Sequence, residues 1–171
     1  MSKVLIVYYS RPGENLFGAG TKILKVGNTK IVAETLHNLL NCDIVEIESN
    51  KKYPTTFKEC RKEALEEKMK QYRPEIQISV DITKYEMIFL GYPIWCETVP
   101  MSILTFLEKY DFTGKKIAPF CTHEGSEWGT SLSDIQMSAK GATILQGLSI
   151  EGTSRNNCEF DLLNWINTLM I

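Results

Sequence analysis

Ser10, Gly27, Asn28 and Thr29 are the residues of this chain best suited to hold an anion. The apolar run Val4-Leu5-Ile6-Val7-Tyr8-Tyr9 stops at Ser10, and Gly27-Asn28-Thr29 opens a stretch with helical periodicity. Hydroxyls, free backbone N–H groups and the positive end of a helix dipole together make a phosphate cradle, here one without a lysine. The competing reading is that Asn28 or Thr29 only caps the helix. Neither common nucleotide fingerprint fits. A Walker-type loop ends in Gly-Lys-Ser/Thr, whereas the one Gly-Lys pair, Gly114-Lys115, continues with Lys116. A dinucleotide fingerprint begun at Gly18 and Gly20 would need a third glycine where Ile23 stands. The loop therefore suits a terminal phosphate monoester better than a pyrophosphate or a triphosphate.

Two further loops carry unusual chemistry. Tyr92-Pro93-Ile94-Trp95-Cys96-Glu97-Thr98 places a tryptophan where a polar sheet edge calls for hydrophilic residues. Thr122-His123-Glu124-Gly125-Ser126-Glu127-Trp128-Gly129 combines two glycines, a second tryptophan and many backbone donors. A phosphate cradle beside two aromatic loops suits a ligand with a phosphate tail and a flat ring. Trp95, at the end of a strand and beside Pro93, reads as a ring contact more readily than as a core aromatic. Trp128 either stacks on the other ring face or anchors its loop, and His123 either steadies negative charge on the ring or is hydrogen-bonded locally. Cys96 has no cysteine near it in sequence and reads as a packing residue. Glu124 and Glu127 supply local negative charge or face solvent, and His37, inside the first helix, is a bystander.

These loops need a scaffold, and the chain alternates strand and helix to provide one. The first run is too short for a helix and apolar on both faces, as in a central strand of a parallel sheet. Val32, Leu36, Leu39 and Leu40 form a helical stripe, and Cys42 to Ile47 read as a strand. Thr56 to about Gln71 is a charged helix, followed by an extended connection with Pro74, Ile76, Ile78 and Val80. Met87 to Gly91 is the next strand, and Pro100 suits the first turn of a helix carrying Ile103, Leu104 and Leu107. Lys116 to Cys121, Thr130 to Lys140 and Thr143 to about Leu148 read as strand, helix and strand. Asn157 to Met170 closes the chain as a helix with Leu162, Leu163, Ile166 and Leu169 inward. Five such units make an α/β doubly wound sheet in a single domain spanning 1–171, not a barrel. The three loops then fall on one carboxyl edge.

With 171 residues and a net charge of −2, the chain has room for a full core and shows no basic stripe for nucleic acid. No apolar stretch approaches the ~20 residues of a membrane span, and the chain enters a core strand at once without a signal peptide, so the expected location is cytoplasmic. Five cysteines with no Cys-x-x-Cys pair argue against a disulfide framework and a zinc site. A response-regulator-like domain would need acidic residues where Tyr9 and Ser10 stand. A Cys-x5-Arg phosphatase is excluded because Glu48, Glu66, Ser102, Glu127 and Asn164 follow the cysteines at that spacing.

On these residues the chain resembles the flavodoxins, and especially flavodoxin-like proteins with a Ser…Gly-Asn-Thr loop, a Gly-x-Pro-Ile-Trp loop and a Thr-His-x-Gly-Ser loop. Here these are Ser10…Gly27-Asn28-Thr29, Gly91-Tyr92-Pro93-Ile94-Trp95 and Thr122-His123-Glu124-Gly125-Ser126. The resemblance spans essentially the whole chain and implies a five-stranded parallel sheet of order 2-1-3-4-5. It also implies bound flavin mononucleotide (FMN) and transfer of one or two electrons. The cofactor residues it implies are Ser10, Arg11, Gly27, Asn28 and Thr29 at the phosphate, with Tyr92, Pro93, Ile94, Trp95 and Cys96 around the ring. Thr122, His123, Glu124, Gly125, Ser126 and Gly129 complete the set, and no separate acid-base dyad is required. Partners would be redox proteins in transient contact, with the protein itself a monomer or weak dimer. An FMN-dependent NAD(P)H:quinone or nitro-compound oxidoreductase is the alternative on the same fold. Residues Arg11 to Val26 interrupt the phosphate loop; the glycines Gly13, Gly18 and Gly20 suggest an ordered excursion over the site, against a role-free surface insertion.

Overall fold

Leu5, Val7 and Tyr9 point to one side of the central sheet and Ile6 and Tyr8 to the other, and all five are buried. That is why the opening run is continuous in apolar residues: a strand covered on both faces has no polar side to show. The computed structural model describes residues 3–169. In chain order its elements are β1 (Val4–Tyr8), β2 (Gly13–Phe17), β3 (Gly20–Leu24), α1 (Asn28–Leu40), β4 (Asp43–Glu46) and β5 (Glu48–Ser49). They continue with α2 (Phe57–Lys70), β6 (Ile76–Gln77), β7 (Met87–Pro93), α3 (Met101–Lys109) and β8 (Lys116–His123). The last are α4 (Ser131–Ser138), β9 (Thr143–Ile144), β10 (Leu148–Glu151) and α5 (Glu159–Thr168).

The main sheet runs β4-β1-β7-β8-β10, all parallel, with β9 also pairing with β8. Counted by strand-helix unit this is the order 2-1-3-4-5, a doubly wound sheet. Val32, Ala33 and Leu36 of α1 and Leu162, Trp165 and Ile166 of α5 cover one face; α3 and Ile135 of α4 cover the other. Each fully buried side chain such as Phe89 or Phe106 contributes about 2–3 kcal/mol by leaving water. Gly91 lets β8 approach, since a Cβ there would lie 2.2 Å from the Phe120 ring.

Several boundaries differ from the sequence expectation for identifiable reasons. The fifth strand is broken between Ile144 and Leu148, where Trp128 packs on Gly147 so closely that a Cβ would meet its ring at 2.5 Å. Leu163, expected inward, is 43% exposed: the buried face of α5 is Leu162, Trp165 and Ile166, and Leu163 lies about 100° round the helix. α5 begins at Glu159 rather than Asn157, and its expected end at Met170 lies outside the described residues. α4 ends at Ser138, short of Lys140, and Pro100 is the cap of α3 rather than part of its first turn. The α2 helix starts after its N-cap Thr56, whose hydroxyl accepts from the Glu59 N–H. The 11–26 insertion folds as an antiparallel hairpin, β2 with β3.

Candidate functional site

The carboxyl ends of β1, β7 and β8 open into one cleft, with α1 starting at its polar end. Gly27 is the N-cap of α1 and makes no side-chain cap bond; neither Asn28 nor Thr29 caps the helix. Ser10 Oγ instead accepts from the Lys30 N–H at 3.1 Å, across the insertion. The N–H groups of Asn28 and Thr29, in the first turn, have no intrahelical acceptor and point outward from the helix start. Gly27 is fixed by close approach, because a Cβ would fall 2.2 Å from Ser10 Oγ and 2.7 Å from the Arg11 carbonyl oxygen. Thr29 is buried and shares a 2.8 Å hydrogen bond with Thr122 Oγ1, which joins the first loop to the third.

Arg11 lines the cleft, but its guanidinium is committed elsewhere. It donates to the carbonyls of Pro54 at 2.6 Å, Thr55 at 3.0 Å and Glu14 at 2.7 Å, so these donors of Arg11 pin the hairpin base.

The other end of the cleft is aromatic. Trp95 lines it, edge-on to Tyr9 at 5.5 Å and to Tyr53 at 5.0 Å between ring centroids. Such pairs hold a ring orientation with roughly 0.5–1.5 kcal/mol each beyond burial. The loop after Trp95 is a tight turn, with Trp95 and Thr98 exchanging backbone hydrogen bonds of 2.8 and 3.0 Å. Cys96 and Glu97 both have left-handed backbones, φ 50° and 66°, a conformation costing about 1 kcal/mol or more for such residues. The turn is held from outside: Lys68 Nζ donates to the Cys96 carbonyl at 2.7 Å, and the Thr130 N–H to that of Glu97 at 2.7 Å. Cys60 and Cys96 both line the cleft, and burial pushes each thiol above its ordinary range, which leaves them unactivated as nucleophiles.

Of the residues expected at the site, Ser10, Arg11, Asn28, Thr29, Pro93, Ile94, Trp95 and Cys96 line the cleft, as do Thr122, His123, Glu124 and Ser126. Four do not. Tyr92 is fully buried and turned into the core, with its hydroxyl 3.0 Å from Ser131 Oγ, as strand alternation requires of the residue before Pro93. Gly129 lies where the third loop crosses the second: a Cβ would sit 2.1 Å from the Glu97 carbonyl oxygen. Gly27 and Gly125 act through the backbone, Gly125 with φ +99° and its N–H donated to His123 Nδ1 at 3.1 Å. Trp128 packs against the core away from the cleft and anchors its loop. His123 is buried and bonded locally, and His37 Nδ1 faces the Cys42 carbonyl at 2.7 Å, far from the site.

Sequence reasoning missed the far wall. Phe57, Cys60, Arg61 and Ala64 of α2, with Asn15 and Leu16 of the hairpin and Glu97, complete the cleft. Positions 57, 60, 61 and 64 have helical spacing, so the face was readable, but not what it faces. Glu124 accepts from the Gly18 N–H at 2.9 Å with Oε2, while its buried Oε1 has no partner; burial holds this carboxyl above the ordinary carboxylate range. The cleft has a volume of about 240 Å³ and is open to solvent on one side. Among the described residues no cluster of three or more His, Cys, Asp or Glu could hold a metal, and no helix is long and apolar enough to cross a membrane.

A family model described as flavodoxin matches residues 22–169. No curated protein matches the chain. Among solved structures, a candidate flavoprotein from Bacteroides eggerthii is 24% identical with a TM-score of 0.80, over 100% of this chain and 99% of that one. A flavoprotein from Lactobacillus acidophilus in complex with FMN is 24% identical with a TM-score of 0.67, over 92% of this chain and 97% of that one. A Fusobacterium nucleatum flavodoxin bound to FMN is 15% identical with a TM-score of 0.56, over 99% and 98%. At these identities the likeness speaks for the fold.

Proposed function

The chain belongs to the flavodoxin family, and from that premise we propose that it binds FMN in this cleft and carries one or two electrons between transient protein partners. The observation that carries the reading is that the open N-terminal turn of α1 and Trp95 line one continuous cleft. The residues fit the cofactor from end to end. Ser10, Asn28 and Thr29, with the free N–H groups of the first turn, suit a phosphate monoester. The unpartnered Oε1 of Glu124 is an acceptor inside the cleft, where a polyol chain would bring hydroxyl donors. Trp95 supplies an apolar face for a flat ring.

FMN, when bound, supplies the redox chemistry. The chain's own residues bind, orient and tune. Trp95 and the apolar side chains of Phe57 and Ala64 would raise the cost of placing negative charge on a bound ring, while Arg61 of the same helix would lower it. The Ile94 and Trp95 N–H groups are spent on the Thr122 and Thr98 carbonyls, so the unpaired backbone groups further along the second and third loops would be the ones to hydrogen-bond the ring. The cleft is open to solvent on one side, which suits electron transfer by surface contact. The proposal includes a cytoplasmic monomer or weak dimer, with neither nucleic acid nor membrane as a partner.

The test is an absorption spectrum with added FMN, followed by anaerobic titration with dithionite and then NADPH plus a quinone. Flavin bands that shift on binding, reduction by dithionite and no NADPH oxidation are the expected result. Rapid NADPH oxidation with quinone turnover would replace the carrier with the reductase alternative, and no shift of the bands would remove FMN.

A further inference from the structure

The 13–24 hairpin is fastened at both ends, its base to the start of α2 and its tip to the polar end of the cleft. At its base, besides the three Arg11 bonds, the Glu14 N–H donates to the Thr55 carbonyl at 3.2 Å and Glu14 Oε2 accepts from the Phe57 N–H at 2.7 Å, capping α2. At its tip, the Gly18 N–H donates to Glu124 Oε2 at 2.9 Å, and the Phe17 ring lies under the Arg155 guanidinium at 5.4 Å. Between these ends Asn15 and Leu16 line the cleft. The insertion therefore bridges from α2 to the third loop.

Arg155 does more than hold Phe17. Its Nη1 donates to Asn28 Oδ1 at 2.7 Å and to the Val26 carbonyl at 3.2 Å, and its buried Nε has no partner. A guanidinium has no acceptor, so this contact fixes which end of the Asn28 amide is oxygen and turns Nδ2 the other way. Gly152 lets that amide and Glu124 share one corner: a Cβ there would lie 2.2 Å from Asn28 Nδ2 and 2.3 Å from Glu124 Oε1. One small cluster thus touches the hairpin tip twice and the first residue of α1 once. Lys22 Nζ covers the Phe17 ring as well, at 4.8 Å, but Arg155 is the cation that bonds Asn28, beside the turn whose free N–H groups attract a dianion.

We infer that Arg155 is a positioning residue for phosphate specificity: it couples a phosphate group at the start of α1 to the hold on the hairpin tip through Asn28, Phe17 and Glu124. The inference rests on the FMN reading and deepens it. A dianion at Asn28 strengthens the hold of Arg155 on that corner, and the corner holds the tip. Riboflavin, identical in its ring but without the phosphate, leaves the tip held only as firmly as in the free protein. The strap selects the phosphorylated flavin because only that ligand tightens the hold.

Two readouts test this on the full chain: hydrogen exchange of the Gly18 amide with no ligand, riboflavin or FMN, and flavin dissociation constants from fluorescence quenching. FMN is expected to slow Gly18 exchange about tenfold more than saturating riboflavin does. Arg155→Gln should weaken FMN about tenfold and riboflavin less than about twofold, with Arg155→Lys recovering part of the loss. Phe17→Ala, which leaves the α1 corner intact, should speed Gly18 exchange in the FMN complex. Equal Gly18 protection by both flavins, or equal loss of both affinities in folded Arg155→Gln, would overturn the strap while leaving FMN binding in place. Failure of the wild-type chain to bind FMN would overturn both.

Discussion

The two ends of the cleft are built on opposite principles. At the polar end the side chains are already engaged with one another: Thr29 with Thr122, Asn28 with Arg155 and Ser10 with the Lys30 N–H. At the aromatic end Trp95 is held by ring edges, and the next two residues sit in left-handed backbone held from outside by Lys68 of α2 and by Thr130. A prewired polar end reads one group and tolerates little change, because each partner lost leaves another unpaired. An aromatic end held by packing tolerates change in small steps and tunes what it touches. Affinity for phosphate and control of potential are therefore separable by mutation.

The largest effect should come from closing the polar end. Gly27→Ala drives a methyl group into Ser10 Oγ and the Arg11 carbonyl, so the loop must move. Calorimetric titration should show FMN weakened about 100-fold, about 2.7 kcal/mol, with riboflavin much less affected. Trp95→Ala breaks the comparison from the other side: both flavins should weaken by about tenfold alike, and the reduction potential, read by equilibration with a reference dye, should shift. Thr29→Ala is a finer probe of the polar end. Losing its bond to Thr122 should weaken FMN by about 1 kcal/mol more than riboflavin; equal losses would make Thr29 part of the scaffold only.

The smallest effect is a pH dependence. Burial holds the Glu124 carboxyl above its ordinary range, so the folded chain keeps that proton to higher pH than the unfolded chain does. Its contribution to stability is present in full below the unfolded pKa and is lost as pH rises through the folded one. Denaturation midpoints should carry this downward slope as pH rises above the ordinary carboxylate range, about 4, and Glu124→Gln, which keeps an acceptor for the Gly18 N–H, should flatten it.

How far the sequence could be read follows the same division. The strands were legible because a run such as Val4 to Tyr9 has a single explanation, burial on both faces. The polar end was legible because Ser10 and Gly27-Asn28-Thr29 carry their chemistry in their side chains and helix position. Arg11 was not, since nothing local says that its guanidinium turns to the carbonyls of Pro54 and Thr55, 43 and 44 residues away. Arg155 and the α2 wall were hidden for the same reason: their role depends on which element they face, a matter of tertiary packing. Tyr92 shows the limit within a motif, where strand alternation turns a side chain into the core although its neighbours line the cleft.

The most direct test of the account is a side-by-side titration of the wild-type chain with FMN and riboflavin. A cleft whose polar end reads phosphate should bind FMN tighter by a factor on the order of 100, with the flavin bands shifting for both. Equal affinities would contradict it, because the ring would then be doing all the binding and the prewired corner around Thr29 and Asn28 would be scaffold alone.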